Sequence, residues 1–138
     1  MTIRRDYLLR LIDEFFKFLA KIMQLKSDKQ YDQALALIDE ASQALLHKDL
    51  NELLEDDDAV AKITEDKLLN LDQVEVLGGL LKVKADINNE MYNRFTAISL
   101  YEKSLFLLNH VESVSKNFSM DRLNKIKEIS DALFLLKA

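Results

Sequence analysis

The sequence predicts an all-α protein with a single domain. Its 138 residues contain only two glycines, Gly78 and Gly79, and no proline. A sheet protein of this length needs many tight turns, which normally use glycine and proline, so their scarcity favours helices. Hydrophobic residues make up 49 % of the chain, which is enough to form one packed core.

Composition also narrows the classes of function. The net charge of −5 disfavours a general affinity for nucleic-acid phosphates or anionic lipid. Cysteine is absent, which excludes disulfides and thiolate metal sites, and no cofactor motif occurs. Arg4 and Arg5 are followed by Asp6, Arg10 and Asp13 rather than by an apolar run. We therefore expect no signal peptide, no membrane-spanning segment and a cytoplasmic location.

The first helix is predicted over residues 5–25 and carries two apolar stripes at helical spacing. The first stripe is Leu8, Leu11, Phe15, Phe18, Ile22 and Leu25. The second stripe is Leu9, Ile12, Phe16, Leu19 and Met23. A helix with two such stripes is covered on two sides, by other helices of the chain or by a second copy of the protein. The pattern does not decide which stripe faces inward.

A second helix is predicted over residues 30–46, after a connection so short that the two helices form an antiparallel hairpin. Its expected buried face is Tyr31, Ala34, Leu35, Ile38, Ala41 and Leu45. Residues 47–71 have a weaker pattern. Short helical turns are predicted over 49–54 and 58–63, separated by a solvated acidic break at residues 55–58.

Three further helices are predicted over residues 72–89, 93–113 and 119–136. The third helix has two apolar stripes, one of Val74, Leu77, Leu81 and Ala85 and one of Val76, Leu80, Val83 and Ile87. The fourth helix is expected to bury Ala97, Ile98, Tyr101, Leu105 and Leu108. Ser119 is the predicted N-cap of the fifth helix, whose apolar face is Leu123, Ile126, Ile129, Leu133 and Leu136.

Small and aromatic residues in these helices resemble the tetratricopeptide (TPR) repeat, in which small residues let two antiparallel helices approach closely. Leu77-Gly78 stands at the family's Leu-Gly position, and Ala97, Tyr101 and Ser104 stand at its small, aromatic and small positions. The second helix offers Ala34, Ile38 and Ala41 at the same three places, with Tyr31 just before them.

The resemblance implies two TPR-like hairpins, at residues 5–46 and 72–113, and a C-terminal capping helix. Ala34 and Ala97 are 63 residues apart rather than one 34-residue repeat, so residues 47–71 are interpreted as an insertion. The chain also resembles a family of small bacterial proteins without an assigned function, whose first helix begins like Arg5-Asp6-Tyr7-Leu8.

The resemblance implies a module without catalytic activity that binds a protein or peptide in a groove lined by the first and third helices. Two rows of polar residues are then expected to face the partner. The row on the first helix is Arg10, Asp13, Lys17, Lys21 and Gln24, and the row on the third helix is Asp72, Glu75, Lys82, Asp86 and Asn89. Gly79 leaves a gap in the second row that the backbone of a ligand can approach, but close helix packing is the favoured explanation for Gly78 and Gly79.

Other interpretations remain open at this point. The polar rows also fit solvated helix faces with ion pairs between residues four apart. The apolar first helix fits a homodimer with no other partner. The least favoured alternative is an enzyme whose site combines distant acids with His110. His47 and His110 fall in the last turns of the second and fourth helices, where a partial positive charge is favourable, so a structural role is expected for both.

Overall fold

The computed structural model describes the backbone of residues 2–55 and 58–138, and the side chains within these ranges from Asp6 onwards. This part of the chain contains seven helices and no strand, which confirms the predicted all-α class. The helices are α1 (Thr2–Ser27), α2 (Tyr31–Leu46), α3 (Leu50–Leu53), α4 (Ala59–Glu65), α5 (Leu71–Glu90), α6 (Arg94–Val114) and α7 (Met120–Leu136). The five long helices lie within a few residues of the five predicted ones.

Side-chain caps explain where two of the long helices begin. The Asn70 side chain accepts a hydrogen bond from the Gln73 N–H at 2.9 Å, and the Gln73 side chain accepts one from the Asn70 N–H at 3.0 Å. This reciprocal capping box starts α5 one residue earlier than predicted. Ser119 accepts a hydrogen bond from the Arg122 N–H at 3.1 Å, so the predicted N-cap of α7 is confirmed.

Residues 47–71 contain two short helices at the places where helical turns were predicted. Asp49 starts α3 by accepting a hydrogen bond from the Asn51 N–H at 2.8 Å. Packing fixes both elements, because α3 contacts α2 and α4, and α4 contacts α6. The predicted acidic break includes Asp56 and Asp57, which lie outside the described residues, while Glu55 and Asp58 on either side are exposed.

The turns that join α1 to α2 and α5 to α6 have the same backbone geometry. In each, a left-handed residue (Lys29, φ 60°, and Tyr92, φ 64°) follows the helix. Its N–H donates a hydrogen bond to the carbonyl three residues before it, and the N–H of the following residue donates to the carbonyl five residues before that residue. This pair of bonds is the Schellman motif, which satisfies the last carbonyls of a helix. The two turns lie 63 residues apart, the same offset as between Ala34 and Ala97.

Helix α5 forms the centre of the structure. It contacts α1, α2, α6 and α7, and eleven of its twenty residues are buried. Helix α1 also packs on α2, and α7 also packs on α6. Because α5 is covered by four helices, its apolar residues extend around most of its circumference, as its two predicted stripes require.

Glu90 joins the two hairpins at the ends where their turns lie. One of its carboxylate oxygens is 2.7 Å from the Lys26 ammonium, and the other accepts a hydrogen bond from the Tyr31 hydroxyl at 3.1 Å. The hydrogen bond from Lys26 holds the pKa of Glu90 below its usual value, and the bond from Tyr31 contributes in the same direction. This carboxylate therefore links α1 and α2 to the end of α5.

The lowered pKa of Glu90 predicts a pH-dependent contribution to stability. The Glu90→Gln variant should unfold with a free energy about 0.5 kcal/mol lower at pH 7, because the exposed ion pair with Lys26 is lost. The contribution is present above the ordinary carboxyl pKa of 4.5 and disappears as the pH falls through the lower folded-state value. Urea unfolding at pH 7 and below pH 4.5 measures this difference. The exposed Glu65, replaced by Gln, is the control, and equal losses for both variants would contradict the prediction.

Candidate functional site

The structure decides which stripe of α1 faces the core. In the first stripe, Leu11, Phe15 and Ile22 are buried and Leu8, Phe18 and Leu25 are half-buried. The second stripe lies on the surface. Its exposed fractions are 52 % for Leu9, 39 % for Ile12, 48 % for Phe16 and 46 % for Met23, and Leu19 is half-buried. Helix α1 thus presents a line of large apolar side chains to solvent.

The polar row of α1 lies beside this stripe, with Asp13 next to Leu9 and Phe16 and the other members further around the helix. Arg10, Asp13, Lys17 and Lys21 are all exposed. Arg10 borders a separate recess on the α2 side, whose other lining residues are Tyr7, Leu11, Glu14, Ala44, Leu45 and His47. None of these four row residues lines the cleft between α1, α5 and α7.

The side chain of Phe15 from α1 occupies the space beside Gly79. A Cβ atom at Gly79 would lie 2.7 Å from the tip of the Phe15 ring, and one at Gly78 would lie 2.8 Å from a methyl group of Leu108. The Ser104 hydroxyl also donates to the Gly78 carbonyl at 2.7 Å. Both glycines thus serve close helix packing, which confirms the favoured explanation. The space at Gly79 holds a side chain of the protein itself and is not open to the backbone of a ligand.

Lys82 and Asp86 of the α5 row form ion pairs and a hydrogen bond with other residues of the chain. The Lys82 ammonium is 3.0 Å from Asp86 and 2.9 Å from Glu128 of α7, and the Tyr101 hydroxyl donates to Asp86. Burial lowers the pKa of Lys82, but its attraction to these two carboxylates outweighs burial, and the net shift is upward. Burial and the bond to Asp86 raise the pKa of Tyr101 well above its usual range. Asn89, at the end of the row, is exposed.

A buried arginine that the sequence analysis did not single out holds α7 in place. Arg122 is 3 % exposed. Its Nε donates to Glu112 of α6 at 2.8 Å, Nη1 donates to Glu75 of α5 at 3.2 Å, and Nη2 donates to the Asn117 carbonyl at 2.8 Å. Burial lowers the pKa of Arg122, but the bonds to Glu112 and Glu75 outweigh it. Nothing local in the sequence marks this residue, because its partners lie ten and 47 positions away.

A cleft of about 280 Å³ lies between α1, α5 and α7. One wall is apolar and belongs to α1, which contributes Ile12, Phe15 and Phe16. The other wall is mostly polar. Its lining residues are Asp72, Glu75, Val76, Ser115, Asn117, Ser119, Asp121, Arg122 and Lys125. Of the two predicted polar rows, only Asp72 and Glu75 line this cleft.

The cleft continues the exposed second stripe of α1. Ile12 and Phe16 belong to both surfaces, so the stripe and the apolar wall of the cleft form one continuous surface. Lys125 of α7 lies over the ring of Phe15, 5.4 Å from its centroid, and its ammonium is also 2.7 Å from Asp121. We call the second stripe together with this cleft the α1 surface.

The histidines do not join the α1 surface. His47 is the left-handed residue that ends α2, and its N–H bonds the Gln43 carbonyl. His110 is half-buried in the last two turns of α6 and borders a recess beside α4. None of the residues that line this recess is acidic. No described acidic side chain therefore lines this recess together with His110.

Within residues 2–55 and 58–138, no group of three or more histidine, cysteine or acidic side chains is arranged to hold a metal ion. In the same residues, no helix is both long enough and apolar enough to cross a membrane. Comparisons with protein-family models, curated proteins and solved structures each return no match.

The contact between Phe15 and Gly79 predicts that Gly79→Ala destabilises the wild-type protein but stabilises a Phe15→Leu variant. Gly79→Ala should lower the free energy of unfolding by about 1–2 kcal/mol, because the clash with the ring outweighs the higher helix propensity of alanine. In a Phe15→Leu background the ring tip is absent, so the same change should stabilise the protein by up to about 1 kcal/mol. Urea unfolding of the four proteins measures both effects, and an equal loss in both backgrounds would contradict this packing.

Proposed function

We propose that this chain is a protein-interaction module without catalytic activity, built from two TPR-like hairpins, which binds a helix of a partner protein on the α1 surface. The observation that carries the proposal is the second stripe of α1. It exposes four large apolar side chains beside a cleft, and such continuous apolar surfaces are typical of binding sites.

The order of helix contacts supports the TPR-like arrangement. Helix α1 packs on α2 and on α5, α2 packs on α5, and α5 and α6 both pack on α7. Each hairpin thus contacts the first helix of the next, as in a repeat array. The matching Schellman turns after α1 and α5 also support this arrangement. So do the small residues at the TPR-like positions, all of which are fully buried: Ala34, Ala41, Ala97 and Ser104.

The spacing within the second stripe supports a helical partner. Leu9, Ile12, Phe16, Leu19 and Met23 alternate between steps of three and four residues. A stripe with this spacing is the seam along which one helix packs against another. Helices that dock in grooves use the same spacing, with apolar anchors about one turn apart. An amphipathic helix of about four turns matches the length from Leu9 to Met23.

The charged groups around the cleft support binding rather than catalysis. Arg122 and Lys125, which line the cleft, each form ion pairs with acidic residues of the same chain. The pairs of Arg122 join α7 to α5 and α6, and the pair of Lys125 lies within α7, so both basic residues have a structural role.

The exposed stripe also supports a second candidate, a homodimer joined through α1, because two such seams cover one another. Light scattering coupled to size exclusion separates the two candidates. A mass of 16.0 kDa at low and high concentration supports binding to another protein. A mass of twice that value, reduced to the monomer by Phe16→Glu, supports the homodimer.

The proposal predicts direct binding of an amphipathic helix. The probe is a fluorescent peptide of about 18 residues with leucines at alternating three- and four-residue spacing and equal numbers of lysine and glutamate elsewhere. Fluorescence anisotropy should show saturable binding, and Phe16→Glu should weaken it at least about tenfold, because a central apolar anchor is replaced by a charge.

Lys17→Glu is the control, since it introduces the same side chain on α1 outside the α1 surface and lowers the net charge by more than Phe16→Glu does. It should leave the affinity unchanged. Absence of binding by the wild-type chain would contradict the proposal. Equal losses for Phe16→Glu and Lys17→Glu would also contradict it, because the effect would then follow charge and not the apolar stripe.

A further inference from the structure

We infer that the α1 surface selects a basic amphipathic helix, one whose apolar face is bordered by lysine or arginine. This inference rests on the proposed function and specifies its partner. It is carried by the acids that border the apolar stripe on both sides and by the internal pairing of the two basic residues that line the cleft, Arg122 and Lys125.

The first border lies on α1 itself. Residues three and four positions apart are neighbours on a helix surface, so Asp6 is beside Leu9, and Asp13 is beside Leu9 and Phe16. Further along the same border the chain carries Ala20, which is uncharged. Arg10 and Lys17 are also near Asp13, but they lie further around the helix from the stripe. The border next to Leu9 and Phe16 is therefore acidic.

The second border lies across the cleft. Asp72 and Glu75 of α5 and Asp121 of α7 line the same cleft as Ile12 and Phe16. Asp72 stands in the first turn of α5 and is only half-buried. Its side chain forms no hydrogen bond or ion pair with another described residue, so its charge is available to a partner.

The two basic residues that line the cleft already form ion pairs within the chain. Arg122 is bound by Glu75 and Glu112, and Lys125 is bound by Asp121 and lies over the Phe15 ring. Neither offers a free cation to an acidic partner. A basic helix lying on the second stripe meets Asp13 on one side and Asp72 on the other, whereas an acidic helix meets like charges on both sides. Complementary charges at an interface give selectivity between partners.

The test compares two fluorescent peptides that share one leucine pattern and differ only in the remaining positions, which are all lysine or all glutamate. At low salt the lysine peptide should bind the wild-type chain at least about tenfold more tightly, which corresponds to two or three exposed ion pairs. Because such pairs are screened, the preference should shrink towards zero at about 1 M salt.

Two double variants show whether the preference belongs to the α1 surface or to the net charge of the chain. Asp13→Asn with Asp72→Asn should reduce the tenfold preference to about twofold. The control is Asp32→Asn with Asp39→Asn, which removes the same charge from exposed positions of α2, one of them also in the first turn of its helix. The control should keep the full preference, and equal reductions in both double variants would overturn the inference.

The remaining outcomes separate this inference from the proposed function. If both peptides bind equally and Phe16→Glu weakens both, the α1 surface binds helices without selecting charge, so the inference fails and the proposed function stands. If neither peptide binds, both fail. If light scattering gives a dimer that Phe16→Glu disperses, the occupant is a second copy and the inference is overturned.

Discussion

The ring of Phe15 lies over the α5 backbone at Gly79, and the orientation of α1 depends on this contact. Only glycine leaves room for the ring there, because a Cβ would lie 2.7 Å from it. With Phe15 directed at α5, Leu11 and Ile22 also turn inward, and the second stripe turns towards solvent. One close contact between two helices therefore determines which face of α1 is available to a partner.

Arg122 provides the opposite wall of the cleft. A guanidinium buried this deeply is stable only when its donors are satisfied, and acceptors from α5, α6 and the segment before α7 do so. This arrangement holds the start of α7 against α5 and α6, while Lys125 of the next turn contacts the Phe15 ring. The cleft is thus a consequence of packing and ion pairing between helices of the same chain.

The helices could be predicted from sequence because their signals are local, as shown by the Ser119 cap and the apolar spacing of α5 and α6. The candidate site could be predicted only in part. Periodicity identified both stripes of α1, but the choice between them depends on Phe15 meeting Gly79, a residue 64 positions away. For the same reason the α1 row from Arg10 to Lys21 was expected to line the groove, and none of its residues lines the cleft.

Helix α1 buries its first stripe and exposes its second, and chemical labelling tests this orientation directly. The chain contains no cysteine, so one introduced thiol reports on one position. Labelling with a maleimide in dilute solution compares Leu11→Cys with its neighbour Ile12→Cys. We expect the thiol at position 12 to react like a free thiol and the one at position 11 at least about 100-fold more slowly, because the buried thiol must wait for local opening. Equal rates, or faster reaction at position 11, would contradict this orientation of α1.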